Sequence, residues 1–356
     1  MTAVACMPST LTESTMSHFF ASEHARSGWS RRQWLTASAG LLTSAALPQI
    51  ARAQGTWPDK PIRIVAGQAP GSSNDAAARA LGDYLSTKLG VPVVVENKPG
   101  GIGMIAADTV ARAPADGYTL LLTLHSQPAQ APALLKRMPV DPDKDLVPIA
   151  AMGVGPVTAV VHKDFPAKTL QEVIAYAKKK PVNVGNYAVG SGWQLMLEQL
   201  AKDTGAQFNV VNYKGTGAML MDLYGGQIDM GAGSLAGIGS GIQQGNVRPV
   251  VITSGPASSR LPGIPTWKQA GFVGGAYENL PECNMLFART GTPQAIVDRL
   301  AQLVVSSYAE SDRIKGVRDT LADEEPVRTG KELRAFIDRT WTAYRQLTKE
   351  SGLTPS

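Results

Sequence analysis

The chain has 356 residues, of which 44% are hydrophobic and 18% charged, with a formal net charge of +5. That balance is globular and supplies apolar material for one large or two medium domains. Part of the positive charge lies in the first 53 residues, where Arg26, Arg31, Arg32 and Arg52 outnumber Glu13 and Glu23. The one dense cationic run, Lys178-Lys179-Lys180, stands at a helix end, where cations complement the helix dipole. A basic stripe with interleaved aromatics is missing, which argues against nucleic-acid binding. Two cysteines are present, Cys6 and Cys283. Cys6 falls in the leader, and a single remaining thiol makes neither a disulfide nor a metal site. Cys283 reads as a buried structural thiol. No cluster of His, Cys or carboxylates has metal-ligand spacing, so neither a metal nor a cofactor is expected.

The first segment reads as an export signal. Ser30-Arg31-Arg32-Gln33-Trp34-Leu35 opens an uncharged stretch that runs to Ala51 and is rich in Ala, Ser, Thr and Gly. It is weakly apolar for a permanent membrane span. Ala51-Arg52-Ala53 then supplies an A-x-A cleavage signal. The paired arginines resemble a twin-arginine signal, with a Sec signal or a retained anchor as the alternatives. Cleavage at residues 1–53 leaves a periplasmic chain starting near Gln54, with no membrane insertion of its own.

From there strands and helices alternate. Strands are expected at 61–66, 91–96, 118–124, 182–188, 208–213, 227–232, 247–253 and 284–288. Between the first two, Ala78, Leu81, Leu85 and Leu89 recur at helical spacing and Gly90 stops the helix. Met104–Ala113 forms a short helix. Thr169 with Glu172 makes a capping box for a helix over 170–180. Thr292-Pro293 reads as an N-cap with proline at the first helical position. The last helix carries Leu333, Phe336, Ile337, Trp341, Tyr344 and Leu347 on one side. This alternation predicts an α/β fold with parallel sheets. The rhythm restarts after Val160, so two doubly wound lobes with a cleft between them are expected. The expected division is 54–158 with 275–356 in the first lobe and 159–274 in the second.

Ligands of such sheets bind at strand carboxyl ends, over helix N-termini. Four Gly-rich polar loops join a strand to a helix: 69–75, 99–103, 189–192 and 213–217. Backbone amides in such loops approach a ligand closely, and the helix end favours an anion. No GxGxxG or P-loop motif is present. A hydrolase would need a set such as Ser72, His125 and Asp75, or Ser191 as nucleophile, but no G-x-S-x-G elbow occurs. His125 follows the third strand and is expected to face the cleft. Asp222 and Asp229 read as solvated positions. A binding protein is therefore favoured over an enzyme.

Six segments, in order, carry a family likeness. They are Pro70-Gly71-Ser72-Ser73-Asn74-Asp75, Val93-Val94-Val95-Glu96-Asn97-Lys98-Pro99-Gly100, Asp116-Gly117-Tyr118-Thr119-Leu120, Asn186-Tyr187-Ala188, Tyr213-Lys214-Gly215 and Gly225-Gly226-Gln227-Ile228-Asp229. Together they resemble the substrate-binding proteins of tripartite tricarboxylate transporters, the Bug-type family. The resemblance implies a type II periplasmic binding fold and a role in capturing a small carboxylate: a di- or tricarboxylate, an acidic amino acid or an aromatic acid. It further implies membrane transporter subunits as partners, or in a second role a signalling kinase, and a monomer. The grip would come from amides and hydroxyls rather than an arginine clamp, with Lys98 and Lys214 the only cations nearby. The resemblance carries Ser72, Ser73, Asn74, Asp75, Ser126, Gln127, Tyr213, Lys214 and Gly215 over as ligand-binding residues, and the loops of this chain add Gln68, Gly71, Tyr187, Ser191, Gly192, Trp193 and Ser234. The chain departs from the family at Gly67-Gln68, at Gly192-Trp193-Gln194 and at Gly233-Ser234. Trp193 suggests an indole packed on an apolar ligand body, against the alternative of core packing.

Overall fold

The computed structural model describes residues 57–353 other than Asn279, and all but the side chain of Ala236 within its elements. The export signal and its cleavage site lie outside the described residues. Two sheets organise this part of the chain.

The first sheet has six strands in the order β11-β4-β10-β3-β1-β2. β1 (Ile62–Ala66) leads to α1 (Ser73–Leu89), β2 (Val93–Asn97), α2 (Met104–Ala111) and β3 (Thr119–Leu124). α3 (Ser126–Leu134) and the short α4 (Pro142–Asp145) precede β4 (Leu146–Gly153). β1 pairs in parallel with β2 and β3. It is covered on both sides, and Ile62, Ile64, Val65 and Ala66 are all buried, which suits a continuous apolar run. α1 begins where Ser72 accepts the Asp75 N–H and ends at Gly90 in the left-handed region. Its Ala78, Leu81 and Leu85 face the sheet.

Val154, Gly155 and Pro156 carry the chain to the second sheet, ordered β7-β6-β8-β5-β9. Here β5 (Val157–His162), α5 (Leu170–Ala177), β6 (Val182–Asn186), α6 (Gly192–Thr204) and β7 (Phe208–Asn212) follow one another. α7 (Thr216–Tyr224), β8 (Met230–Ser234), α8 (Leu235–Gln243) and β9 (Val247–Ser254) complete it. The Thr169/Glu172 capping box is present at α5. The chain then returns to the first sheet through β10 (Cys283–Arg289), α9 (Gln294–Glu310), α10 (Asp312–Leu321), β11 (Arg328–Thr329) and α11 (Gly330–Ser351). On α11, Leu333, Phe336, Ile337, Trp341 and Tyr344 are buried and Leu347 packs half-buried against them.

Four expectations are corrected. The sheets are mixed: β10 runs antiparallel to β3 and β4, and β5 antiparallel to β8 and β9. β4 went unread because Pro148 interrupts its pattern. The proline is tolerated beside a register shift between Leu286 and Phe287. The strand expected over 227–232 starts only at Met230. At α9 the N-cap is Pro293 itself, with ψ of 133°, while the Thr292 hydroxyl donates backward to the Arg289 carbonyl at 2.7 Å.

Candidate functional site

The carboxyl ends of strands from both sheets meet at a small cavity of about 30 Å³. Gln68, Ser72, Ser73, Asn74, Leu124 and Val154 line it from the first lobe. Tyr187, Thr216, Gly233 and Ser234 line it from the second, Val157 stands at the start of β5 where the chain crosses over, and Glu282 stands on the return segment. The volume suits about two water molecules.

Local sequence builds the first-lobe wall. The Ser72 cap starts α1, so Ser73 and Asn74 occupy its first turn at the cavity. Asn74 donates from Nδ2 to Asn284 Oδ1 at 2.7 Å, and its buried Oδ1 has no partner among the described residues. Gly71 and Asp75 do not reach the cavity wall. The Gly71 N–H donates to Asp75 Oδ2 at 3.0 Å, and Asp75 also accepts from Arg79 and Asn97. Burial opposes the charge on Asp75, but these hydrogen bonds outweigh it and hold the carboxyl below its usual range. Both residues thus brace the loop. Gln68 reaches the cavity and also donates to Gln127 Oε1 at 3.0 Å, which accepts from Thr123 as well.

The second-lobe wall is built on α6. Ser191 caps it, accepting the Gln194 N–H and donating to Asn186 Oδ1 at 2.8 Å. Trp193 is fully buried and donates from Nε1 to the Gly185 carbonyl at 3.2 Å. The indole belongs to the lobe core, which is the core-packing reading and not the one that sets it against a ligand. Tyr213 and Lys214 border a separate, more open groove with Gln68, Gln127 and the 99–103 loop. Tyr213 donates to Asp222 at 2.7 Å, so Asp222 is a bonded group rather than a solvated one. Burial and that carboxylate push the Tyr213 hydroxyl up to about 12. Asp229, likewise half-buried, accepts the Asn183 N–H at 2.8 Å. Gly215 is the N-cap of α7, with φ of 145°.

Three expected ligand donors are already engaged. Ser126 Oγ donates to Glu282 Oε2 at 3.0 Å, Tyr187 to Oε1 at 3.3 Å, and the Gly192 N–H to Oε1 at 2.7 Å. Gly192 packs closely here. A Cβ would stand 2.9 Å from the Tyr344 hydroxyl and 3.3 Å from Glu282 Oε1. Burial pushes the Glu282 carboxyl up to about 7, against the pull of hydrogen bonds from Gly192, Ser126, Tyr187 and Tyr344. Glu282 was not foreseen. The available signal was a lone acid directly ahead of an apolar strand.

His125 does not face the cleft. Its ring is fully buried, 5.3 Å from both the Phe336 and Tyr344 rings, and neither nitrogen has a partner among the described residues. Burial, with the Arg328 charge, pushes it down to about 3. The Ser72/His125/Asp75 set is therefore not assembled. Cys283 is buried and unpaired, as expected.

Two mixed α/β lobes joined by crossing segments, with strand-end loops of both closing on a polar cavity, define a two-lobe solute-binding protein. The chain belongs to the tripartite tricarboxylate transporter family receptor family, which matches residues 77–353. Members of that family are periplasmic solute-binding proteins. Protein BugT of Bordetella pertussis is 36% identical over 220 residues, 61% of this chain and 68% of its own. The R. palustris protein Rpa4515, solved with adipate, is 27% identical with a TM-score of 0.76, covering 84% of this chain and 100% of the other. MatC from Rhodopseudomonas palustris, solved with bound malate, is 28% identical with a TM-score of 0.65, over 83% and 97%. Among the described residues no helix is long and apolar enough to cross a membrane.

Proposed function

We propose that this chain is exported to the periplasm by its twin-arginine-like leader and captures a small carboxylate there for transporter subunits of the tripartite tricarboxylate type. The lobes, 54–158 with 275–356 and 159–274, close on the ligand about the segments that join them. The carrying observation is the meeting of two helix N-termini at one cavity. Ser72, Ser73 and Asn74 stand at the start of α1, and Ser234 at the start of α8. Such ends present free N–H groups and partial positive charge to an anion. The unpartnered Oδ1 of buried Asn74 is an acceptor on the same wall, suited to a hydroxyl or N–H of the ligand and not to its carboxylate. The adipate and malate held by two related structures support a carboxylate as the ligand class. Lys214 borders the adjoining groove, where it favours the approach of an anion.

The test is a thermal-shift screen of di- and tricarboxylates, acidic amino acids and aromatic acids, paired with mass spectrometry of any co-purified ligand. At 100 times its Kd a true ligand stabilises the protein by about 2.7 kcal/mol. The rise should vanish in Asn74→Ala, and the ligand should be recovered unchanged. Turnover abolished by Ser72→Ala would replace the binding reading with a hydrolase.

A further inference from the structure

The cleft contains a carboxylate of its own. Glu282 lines the cavity and is buried. Its three donors come from separate parts of the fold: Ser126 from the start of α3, Tyr187 from the end of β6 and the Gly192 N–H from the start of α6. These three occupy most of the roughly four acceptor positions that a carboxylate offers. None of the groups that stabilise its charge is a lysine or arginine. When ionised it therefore stands at this end of the cleft as a negative charge without a cationic partner, holding these three donors.

All three donors, Ser126, Tyr187 and Gly192, are among the residues expected from the sequence to meet the solute. We propose that Glu282 fills this anion position from within the chain, so that the solute presents one carboxylate, at Ser72–Asn74, and an uncharged end toward Glu282. The proposal rests on the carboxylate reading above and narrows it to monocarboxylates. Leu124, Val154 and Val157, which line the same cavity, suit an alkyl or aryl body. A second solute carboxylate would have to enter beside Glu282, which already holds the Ser126, Tyr187 and Gly192 donors, and like charges so placed disfavour each other.

The experiment is isothermal titration at pH 8 with length-matched acids, hexanoate against adipate and benzoate against terephthalate, on wild type and Glu282→Gln. In wild type the monocarboxylate of a binding pair should be at least about tenfold tighter. In Glu282→Gln that ratio should narrow by at least about tenfold. A wild-type measurement covers the case in which the variant fails to fold: lowering the pH from 8 to 6 should narrow the ratio as Glu282 takes up a proton. The groups facing Glu282 do not titrate in that interval. Tyr187, Tyr344 and Cys283 are pushed far up by burial, and His125 is pushed down to about 3. Arg328, Glu325 and Asp323 act on Cys283 from beyond it. A dicarboxylate that binds wild type as tightly as its partner, or a ratio unchanged by both the variant and pH, overturns the proposal alone. If no acid of either class binds, the carboxylate reading fails and the proposal fails with it.

Discussion

Glu282 and Asn74 share one cavity under opposite constraints. Asn74 keeps an acceptor without a partner, whereas Glu282 takes three donors from distant parts of the chain. The raised value at Glu282 links stability to pH. Between its ordinary 4.5 and about 7, the folded chain holds a proton that the unfolded chain releases. Stability therefore falls as pH rises through that window and is flat above it. The span corresponds to a cost on the order of 3 kcal/mol. Glu282→Gln has no proton to lose. Its melting temperature relative to wild type should rise from pH 5 to pH 8, and parallel pH profiles would show that Glu282 does not carry the effect. Ser191→Ala removes both a cap and the buried bond to Asn186. The expected loss is about 1–3 kcal/mol, read by urea denaturation.

At the scale of elements, the crossing between β4 and β5 is the tightest point. Gly155 has φ of 65°, and an added Cβ would collide with the Leu321 carbonyl oxygen at the end of α10. Gly155→Ala therefore combines left-handed strain with a backbone clash. A destabilisation of about 2–4 kcal/mol is expected, with a lower denaturant midpoint. A variant as stable as wild type would mean that the α10 end gives way freely. The same segment sets the relation between the lobes, so ligand affinity should fall together with stability. α11 works on the same scale: Tyr344 donates to the Pro281 carbonyl at 3.1 Å, and Lys202 on α6 donates to the Glu350 carbonyl at 2.5 Å. The last helix thereby ties the returning segment to the second lobe.

Across the whole molecule, one apolar cluster runs through both sheets. It includes Val65, Leu121 and Phe287 from the first and Val160, Val184 and Met230 from the second. A shared core of this kind predicts a single cooperative thermal transition, shifted as a unit by ligand. Two resolved transitions in calorimetry, only one of them moved by ligand, would contradict it. The strands of this architecture were largely legible from local pattern, since Ile62–Ala66 and Thr119–Leu124 are apolar runs between turn signals. β4 was not, because Pro148 fits a strand only beside a register shift supplied by its partner. The site divided in the same way. The sequence alone determined the strand-to-helix loops, the caps at Ser72 and Ser191 and hence where an anion is favoured, because helix ends are local structures. Only the tertiary structure decided which of those donors remain free. Ser126, Tyr187 and Gly192 are distant in sequence from Glu282, and their capture by its carboxylate follows from the packing of α3, α6 and α11 around it.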